Sequence, residues 1–336
     1  MRILNIHDVN DVRLDPKEAP IAGDRDVVIK VHACGICGSD LTYIKYGGIM
    51  RKPGGVTPIG HEFAGEAIAI GKDVEGVALG DRFAINPMNT STNIGSGGPE
   101  GGFTEQVLVG DARVGDNLIP IDDSVPYDIA AMTEPLSVAL HGVNRGQVKA
   151  GDKVAVFGCG PIGLCMVLWL LDRGAHVVAL DLAPERLERA RALGAHAVVN
   201  PGTENVRAKL IEHHGTGRVL NRDAVGTDVF LDAAGAPSLL SDVIGMAKFQ
   251  SRMVITAAHM KPVEINLGTM LTTEMTLTTA VGYPTEMPEV VAALPRLKDK
   301  IASLISHRLP FDDVLEGFRI AATPQSAKVM IAMEDA

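Results

Sequence analysis

Up to about residue 126 the apolar positions fall in short β-branched runs divided by Gly and Pro, the pattern of strands and tight turns. Residues 27–33, Val-Val-Ile-Lys-Val-His-Ala, are the clearest case, and residues 63–70, 81–85 and 103–109 read the same way. Strands this short and numerous predict a small barrel or sandwich. Residues 85–103 break the pattern with a stretch rich in Asn, Thr, Ser and Gly. An exposed, mobile surface loop is the expectation there, with a lid or subunit contact as the functional alternative. At Pro126 the rhythm changes. Thr133-Glu134-Pro135 and the apolar run after it predict a helix with Pro at its first position, closed by Gly146 and Gly151. From residue 152 apolar strands (153–157, 176–180, 197–199, 229–231, 253–256) alternate with helical segments such as 161–173 and 184–193. That alternation predicts a parallel, doubly wound sheet. After Tyr283 it stops, leaving an amphipathic helix at 311–322 and a last strand at 328–333 that pack back on the first domain. The expected fold is α/β with two domains, residues 1–128 completed by 284–336, and residues 129–283.

Composition narrows the function classes. Of 336 residues 46% are apolar, enough for large buried cores, and the formal charge is −10. That balance argues against a nucleic-acid surface and for a protein acting on small molecules. The four cysteines, Cys34, Cys37, Cys159 and Cys165, make no disulfide framework, so a reducing cytoplasm is expected. Asp8, Asp11 and Arg13 interrupt any secretory leader, and the apolar run 162–171 is too short to span a bilayer. No membrane partner is expected.

Gly158-Cys159-Gly160-Pro161-Ile162-Gly163 fits G-x-G-x-x-G between an apolar strand and a helix, the context a dinucleotide site requires. Gly158 permits the tight turn, Gly160 the approach of backbone N–H groups to a pyrophosphate, and Gly163 close helix–strand packing. Asp181 ends the second strand, where a carboxylate accepts the ribose hydroxyls of NAD and repels the extra phosphate of NADP. The bland alternative is a charge at a helix start. Arg186 either lies along the adenine face or is an ordinary helix-surface charge.

The metal-type residues lie earlier. Gly35-Ile36-Cys37-Gly38-Ser39-Asp40 and Gly60-His61-Glu62 bring a thiolate, an imidazole and a carboxylate together across one excursion of chain. This donor set suits zinc in a catalytic site rather than a structural one, which would show two short-spaced pairs. His61 and Glu62 reach one metal together only if the backbone is irregular beside Gly60, because neighbours on a strand face opposite sides. Otherwise Glu62 stands behind the metal. Cys34 reads as a buried small apolar residue.

Gly60-His61-Glu62-Phe63-Ala64-Gly65, continuing to Gly71 and Val74, has the spacing of the zinc alcohol dehydrogenase signature. With the Cys37 setting, the chain resembles the medium-chain dehydrogenase/reductase family. Glu134-Pro135-Leu136-Ser137-Val138-Ala139-Leu140-His141 resembles its polyol branch, near sorbitol and butanediol dehydrogenases. The resemblance covers the whole chain and implies a GroES-like barrel followed by a Rossmann domain. It makes Cys37 and His61 zinc ligands, Glu62 a ligand in part of the family, and Glu134 a carboxylate that binds zinc or its water. Ser39 would start a proton relay, although Thr42 stands where many members end it with histidine. Tyr43 and Arg308 are substrate-pocket residues by the same resemblance. The implied activity is reversible oxidation of a secondary alcohol, polyol or vicinal diol to the ketone, with hydride passing to NAD. A hydroxy acid or threonine-like substrate is the alternative, and a non-catalytic NAD-binding sensor is the rival of another class. Residues 85–103 lack the cysteine cluster of family members with a second zinc, so one zinc per chain and no structural zinc is expected. Residues 273–280 are β-prone and could pair between subunits, giving a homodimer or homotetramer.

Overall fold

The computed structural model describes residues 1–49 and 55–333. Two compact units emerge, Met1–Glu134 with Met287–Ala336, and Pro135–Glu286.

The first unit opens with β1 (Arg2–Asp8), β2 (Asp11–Pro16) and β3 (Val27–Gly35), then α1 (Gly38–Tyr46). There follow β4 (Thr57–Pro58), β5 (Glu62–Ile70), β6 (Arg82–Ile85), β7 (Gln106–Val109), β8 (Leu118–Pro120) and α2 (Tyr127–Ala131). β1 pairs with β2 and β4 in a small antiparallel sheet, and β3 pairs with both β5 and β7 in a larger one. Alternation along β3 is incomplete: Val27, Val28, Ile29, Val31 and Cys34 are all buried, so both its faces are covered. Residues 85–103 correct one expectation. Ile94 is fully buried, Asn86, Thr90 and Glu100 are buried, and Lys17 Nζ reaches Glu100 at 2.6 Å. The polar residues that suggested a free loop instead satisfy backbone groups, as Asn86 does by accepting from the Met88 N–H.

α3 (Thr133–Arg145) carries the chain across the unit boundary. The second unit comprises β9 (Lys153–Phe157), α4 (Pro161–Asp172), β10 (His176–Leu180), α5 (Pro184–Leu193), β11 (Ala197–Val199) and α6 (Val206–His214). After these come the hairpin β12 (Thr216–Val219) and β13 (Arg222–Val225), then β14 (Val229–Asp232) and α7 (Leu239–Met246). β15 (Arg252–Ile255), α8 (Leu267–Thr273) and β16 (Thr276–Thr279) complete it. The six-stranded sheet runs β11-β10-β9-β14-β15-β16, every pair parallel. Its order reverses between β9 and β14, the place where such sheets bind ligands.

The chain ends with α9 (Met287–Leu304), β17 (Ile305–Pro310), α10 (Val314–Ala321) and β18 (Lys328–Ala332). β18 pairs antiparallel with β3, with Met330 opposite Gly35 and Ile331 opposite Cys34. Phe318 of α10 meets Phe103 edge to face at 5.3 Å, so the tail completes the first unit's core. Residues 311–313 form a 3₁₀ turn before α10, where one continuous helix was expected.

One polar cluster in the second unit gives it an acid weakness. His214 is buried, shares a hydrogen bond of 2.8 Å with Thr227, and meets the His176 ring edge to face. His176 in turn lies against His196, and Lys153 Nζ donates to the His214 carbonyl. Burial, then His176 and Lys153, lower the His214 pKa to about 3, the carboxylate of Asp228 opposing them weakly. A histidine held neutral in the fold but free to protonate once unfolded contributes stability that is complete above its ordinary pKa. That contribution is lost as pH falls from about 6.5 toward 3. Urea unfolding should therefore show stability falling between pH 7 and 5, and the fall should be shallower in His214→Gln. An unchanged slope in that variant would assign the acid sensitivity elsewhere.

Candidate metal and dinucleotide sites

β3 runs through the core to Gly35 and turns out at Ile36, so that Cys37 becomes the N-cap of α1. Its sulfur therefore lies at the N-terminal end of the helix. Asp40 Oδ2 accepts the Cys37 N–H at 2.9 Å and fixes this corner. The excursion from α1 to β5 includes residues 50–54, outside the described residues. Gly60 ends it with φ of 95°, and a Cβ there would come within 2.6 Å of the Phe103 ring. β5 begins only at Glu62, so His61 lies outside the pleat and the alternation of faces does not hold between the two. Ligand atoms of Cys37, His61 and Glu62 all lie within 4.8 Å of one another. Glu134 is buried in the first turn of α3 but does not belong to this group of three.

The surroundings are built for a cation. Asp40 is fully buried, and its Oδ1 stands 3.5 Å from His61 Nδ1, too loose for a hydrogen bond. Both atoms are buried without a hydrogen-bond partner, an arrangement that costs free energy unless a further charge compensates it. Burial works against an imidazolium at His61, yet the charges of Asp40 and Cys37 outweigh it and hold the pKa well above the usual histidine range. A dication bound by sulfur, nitrogen and oxygen answers that demand, and zinc fits the donor set. Asp40 stands behind His61, where it would turn the ring and back its charge if these three side chains held such an ion.

Glu62 has a second partner. Lys328 of β18 is buried, its ammonium lies 2.7 Å from Glu62 Oε1, and it also donates to the Ile36 carbonyl at 3.0 Å. Gly35 lies between them on the intervening strand, directly opposite Glu62. A Cβ on Gly35 would sit 2.3 Å from Glu62 Oε2, so the missing side chain is the path by which the carboxylate crosses to the lysine. Neither Asp40 nor Lys328 was singled out as functional from sequence. A signal existed for each: an acid three residues after a helix-capping position, and a lysine opening an apolar strand. Cys34, fully buried near the end of β3, has its thiol pKa pushed well above the ordinary value by burial, Asp40 and Glu62.

Ser39 is half-buried in the first turn of α1, while Thr42 is exposed and turns its hydroxyl back on the Gly38 carbonyl. Tyr43 packs partly buried against the core. Arg308 is exposed and paired with Asp128 at 2.8 Å.

In the second unit Gly158 has φ of 95°, and a Cβ there would lie 2.9 Å from the Ala233 carbonyl. Gly163 passes so near that its Cβ would meet Gly158 O at 1.8 Å. Gly160 caps α4 and Pro161 is its first residue, leaving early N–H groups unspent at the turn, with Ile162 half-buried beside it. Asp181 accepts the Cys159 N–H at 2.7 Å and the Ala183 N–H at 2.8 Å, which fixes its carboxylate at the edge of β10. Burial and Asp181 push the neighbouring Cys159 thiol up to about 12, so it stays protonated. The Arg186 guanidinium comes to 4.0 Å from where a Gly160 Cβ would be, and its Nε is buried without a hydrogen-bond partner.

Comparison with known proteins bears on the fold and the family. Residues 23–123 match the model of the alcohol dehydrogenase GroES-like domain, and residues 161–296 that of zinc-binding dehydrogenases. A (R,R)-butanediol dehydrogenase of Bacillus subtilis is 32% identical over 94% of each chain. Sorbitol dehydrogenase of Rattus norvegicus is 29% identical over 98% of this chain and 94% of its own. The crystal structure of 2R,3R-butanediol dehydrogenase from Bacillus subtilis superposes with a TM-score of 0.88 at 30% identity, covering 99% of both chains. The first unit is thus a GroES-like domain and the second a Rossmann domain. The chain belongs to the zinc-dependent medium-chain dehydrogenase/reductase family, in its polyol dehydrogenase branch, and is an oxidoreductase that works with zinc and a nicotinamide cofactor.

Proposed function

We propose that this protein oxidises a secondary alcohol of a polyol or vicinal diol to the ketone, reversibly, with NAD rather than NADP. The observation that carries the reading is the buried group of Cys37, His61 and Glu62 with Asp40 behind it. Zinc held there supplies Lewis acidity toward an alcohol oxygen, and the cofactor supplies the hydride acceptor. Ser39, two residues beyond Cys37, is the group that takes the substrate proton toward solvent. Tyr43 and Arg308 are the pocket residues of this reading. Glu62 or Glu134, but not both at once, would hold the ion during turnover: one carboxylate beside a thiolate would leave a zinc site neutral, and a second would blunt its pull on the alcohol. Glu62 already has Lys328 to balance it, which favours Glu134 as the carboxylate at the metal during turnover. A substrate complex with both carboxylates on the ion would refute this.

Asp181 supports the choice of NAD: two backbone N–H groups fix its carboxylate at the end of β10, and a carboxylate there would repel a ribose phosphate. Arg186 completes that subsite from α5. A single zinc per chain is proposed because residues 85–103 contain no cysteine and are tied down by Lys17–Glu100. The test is a screen of polyols, vicinal diols, hydroxy acids and threonine with either cofactor. Alcohol-dependent NADH formation should vanish with chelator and return with zinc, at about one zinc per chain. Turnover that survives complete metal removal, or a preference for NADP, would defeat the corresponding part.

A homo-oligomer is also proposed. β16 is the outer strand of its sheet, and Leu267, Leu271 and Val281 near it in sequence are exposed. An open edge flanked by apolar side chains suits a second copy of the same chain. Light scattering should return a multiple of the chain mass, and a monomer would count against it.

A further inference from the structure

β9, β14 and β15 end side by side. Phe157 is opposite Asp232, and Asp232 is opposite Ile255. The segments that follow these strands pack on one another at that edge. Gly158 lies against the Ala233 backbone, and a Cβ on Gly235 would come within 3.0 Å of the Ala258 carbonyl oxygen. The dinucleotide turn, residues 233–235 and residues 257–259 therefore make one continuous layer.

Asp232 holds this layer from beneath. It is fully buried, and its Oδ1 accepts the N–H groups of Ala234 at 2.9 Å and Gly235 at 2.8 Å. Its Oδ2 takes His259 Nε2 at 2.7 Å, which makes that nitrogen the donor and fixes the plane of the ring. Thr256 adds a bond from its hydroxyl to the Asp232 carbonyl at 2.6 Å. Apolar residues would hold two loops together as well or better, so a buried carboxylate spent on orienting an imidazole points to a use for the imidazole. The ring is not sealed in: the His259 side chain keeps 15% of its surface accessible.

Its place suggests the use, provided the cofactor reading above holds. A dinucleotide spans the point where strand order reverses. Asp181 at the end of β10 marks the adenine side, and the other half of the molecule then falls over the ends of β14 and β15. We infer that His259, oriented by Asp232, is a positioning residue for the nicotinamide ring. It does no chemistry; it offers a fixed polar edge against which the ring settles.

NADH and ADP-ribose, which lacks the nicotinamide ring, are titrated by calorimetry into the zinc-loaded parent, His259→Ala, His259→Gln and Asp232→Asn. The Kd for NADH should rise about tenfold in His259→Ala, the scale of one hydrogen-bonded contact. ADP-ribose should change by less than about twofold, and His259→Gln should recover part of the loss. Asp232→Asn should follow His259→Ala in direction. Equal weakening of both nucleotides, or of neither, overturns the inference and leaves the pair a fold contact. A parent that binds neither nucleotide overturns the cofactor reading itself, and the inference with it.

Discussion

Cys37→Ala and His61→Ala proteins are each expected to lose at least about a thousandfold in kcat/KM, or roughly 4 kcal/mol of transition-state stabilisation. Each should also fall well below one zinc per chain. No neighbour can take the sulfur's place. Cys34 is fully buried with its thiol held protonated, and Cys159 and Cys165 lie in the other unit. Nor is there a spare imidazole: among the described residues, the one group of metal-type side chains with ligand atoms so close is Cys37, His61 and Glu62. The measurements are metal content by mass spectrometry and steady-state rates on the best alcohol of the screen. Folding is checked by circular dichroism, since Cys37 and His61 both lie just outside the paired strands β3 and β5. Parent-like rates in either variant would end the zinc mechanism for this protein.

Lys328→Met should be the most damaging change for stability. It strands the Glu62 carboxylate in a place with almost no solvent access, and breaking a buried pair from one side costs about 3–5 kcal/mol. Glu62→Gln with Lys328→Met removes both charges and should recover much of that loss, because the pair as a whole is worth less than its broken half. Zinc adds a diagnostic. In Lys328→Met the carboxylate has the metal as its remaining counter-charge, so added zinc should stabilise the variant more than it stabilises the parent. Urea unfolding with and without chelator reads all three effects. Additive single losses in the double variant would show that Glu62 and Lys328 are not coupled.

Where the sequence carried strong periodicity, its reading and the structure coincide. Strands β9 and β10 lie inside the Rossmann sheet, so residues 154–157 and 177–180 are buried and appear as unbroken apolar runs. Elements that mix signals were missed. α1 starts at a metal-type cysteine and contains little apolar residue to mark it, and α9 carries Pro295 inside its 18 residues. The hairpin β12–β13 is short and polar, with nothing but its pairing to define it. In the site, Cys37, His61 and Glu62 were legible because their chemistry is rare at such spacing. Asp40 and Lys328 were not, because their roles depend on which strands become neighbours, and nothing local in residues 326–332 says that they will lie beside Gly35.

That last adjacency ties the chain's final strand to its reactive centre. The Glu62 counter-charge arrives 266 positions later in the polypeptide, over a gap left by a residue with no side chain. A ribosome must therefore add all of those residues before the carboxylate is neutralised. Trimming the chain back past residue 328, or threading a fusion partner through that strand, would remove the counter-charge and leave Cys37 and His61 in place.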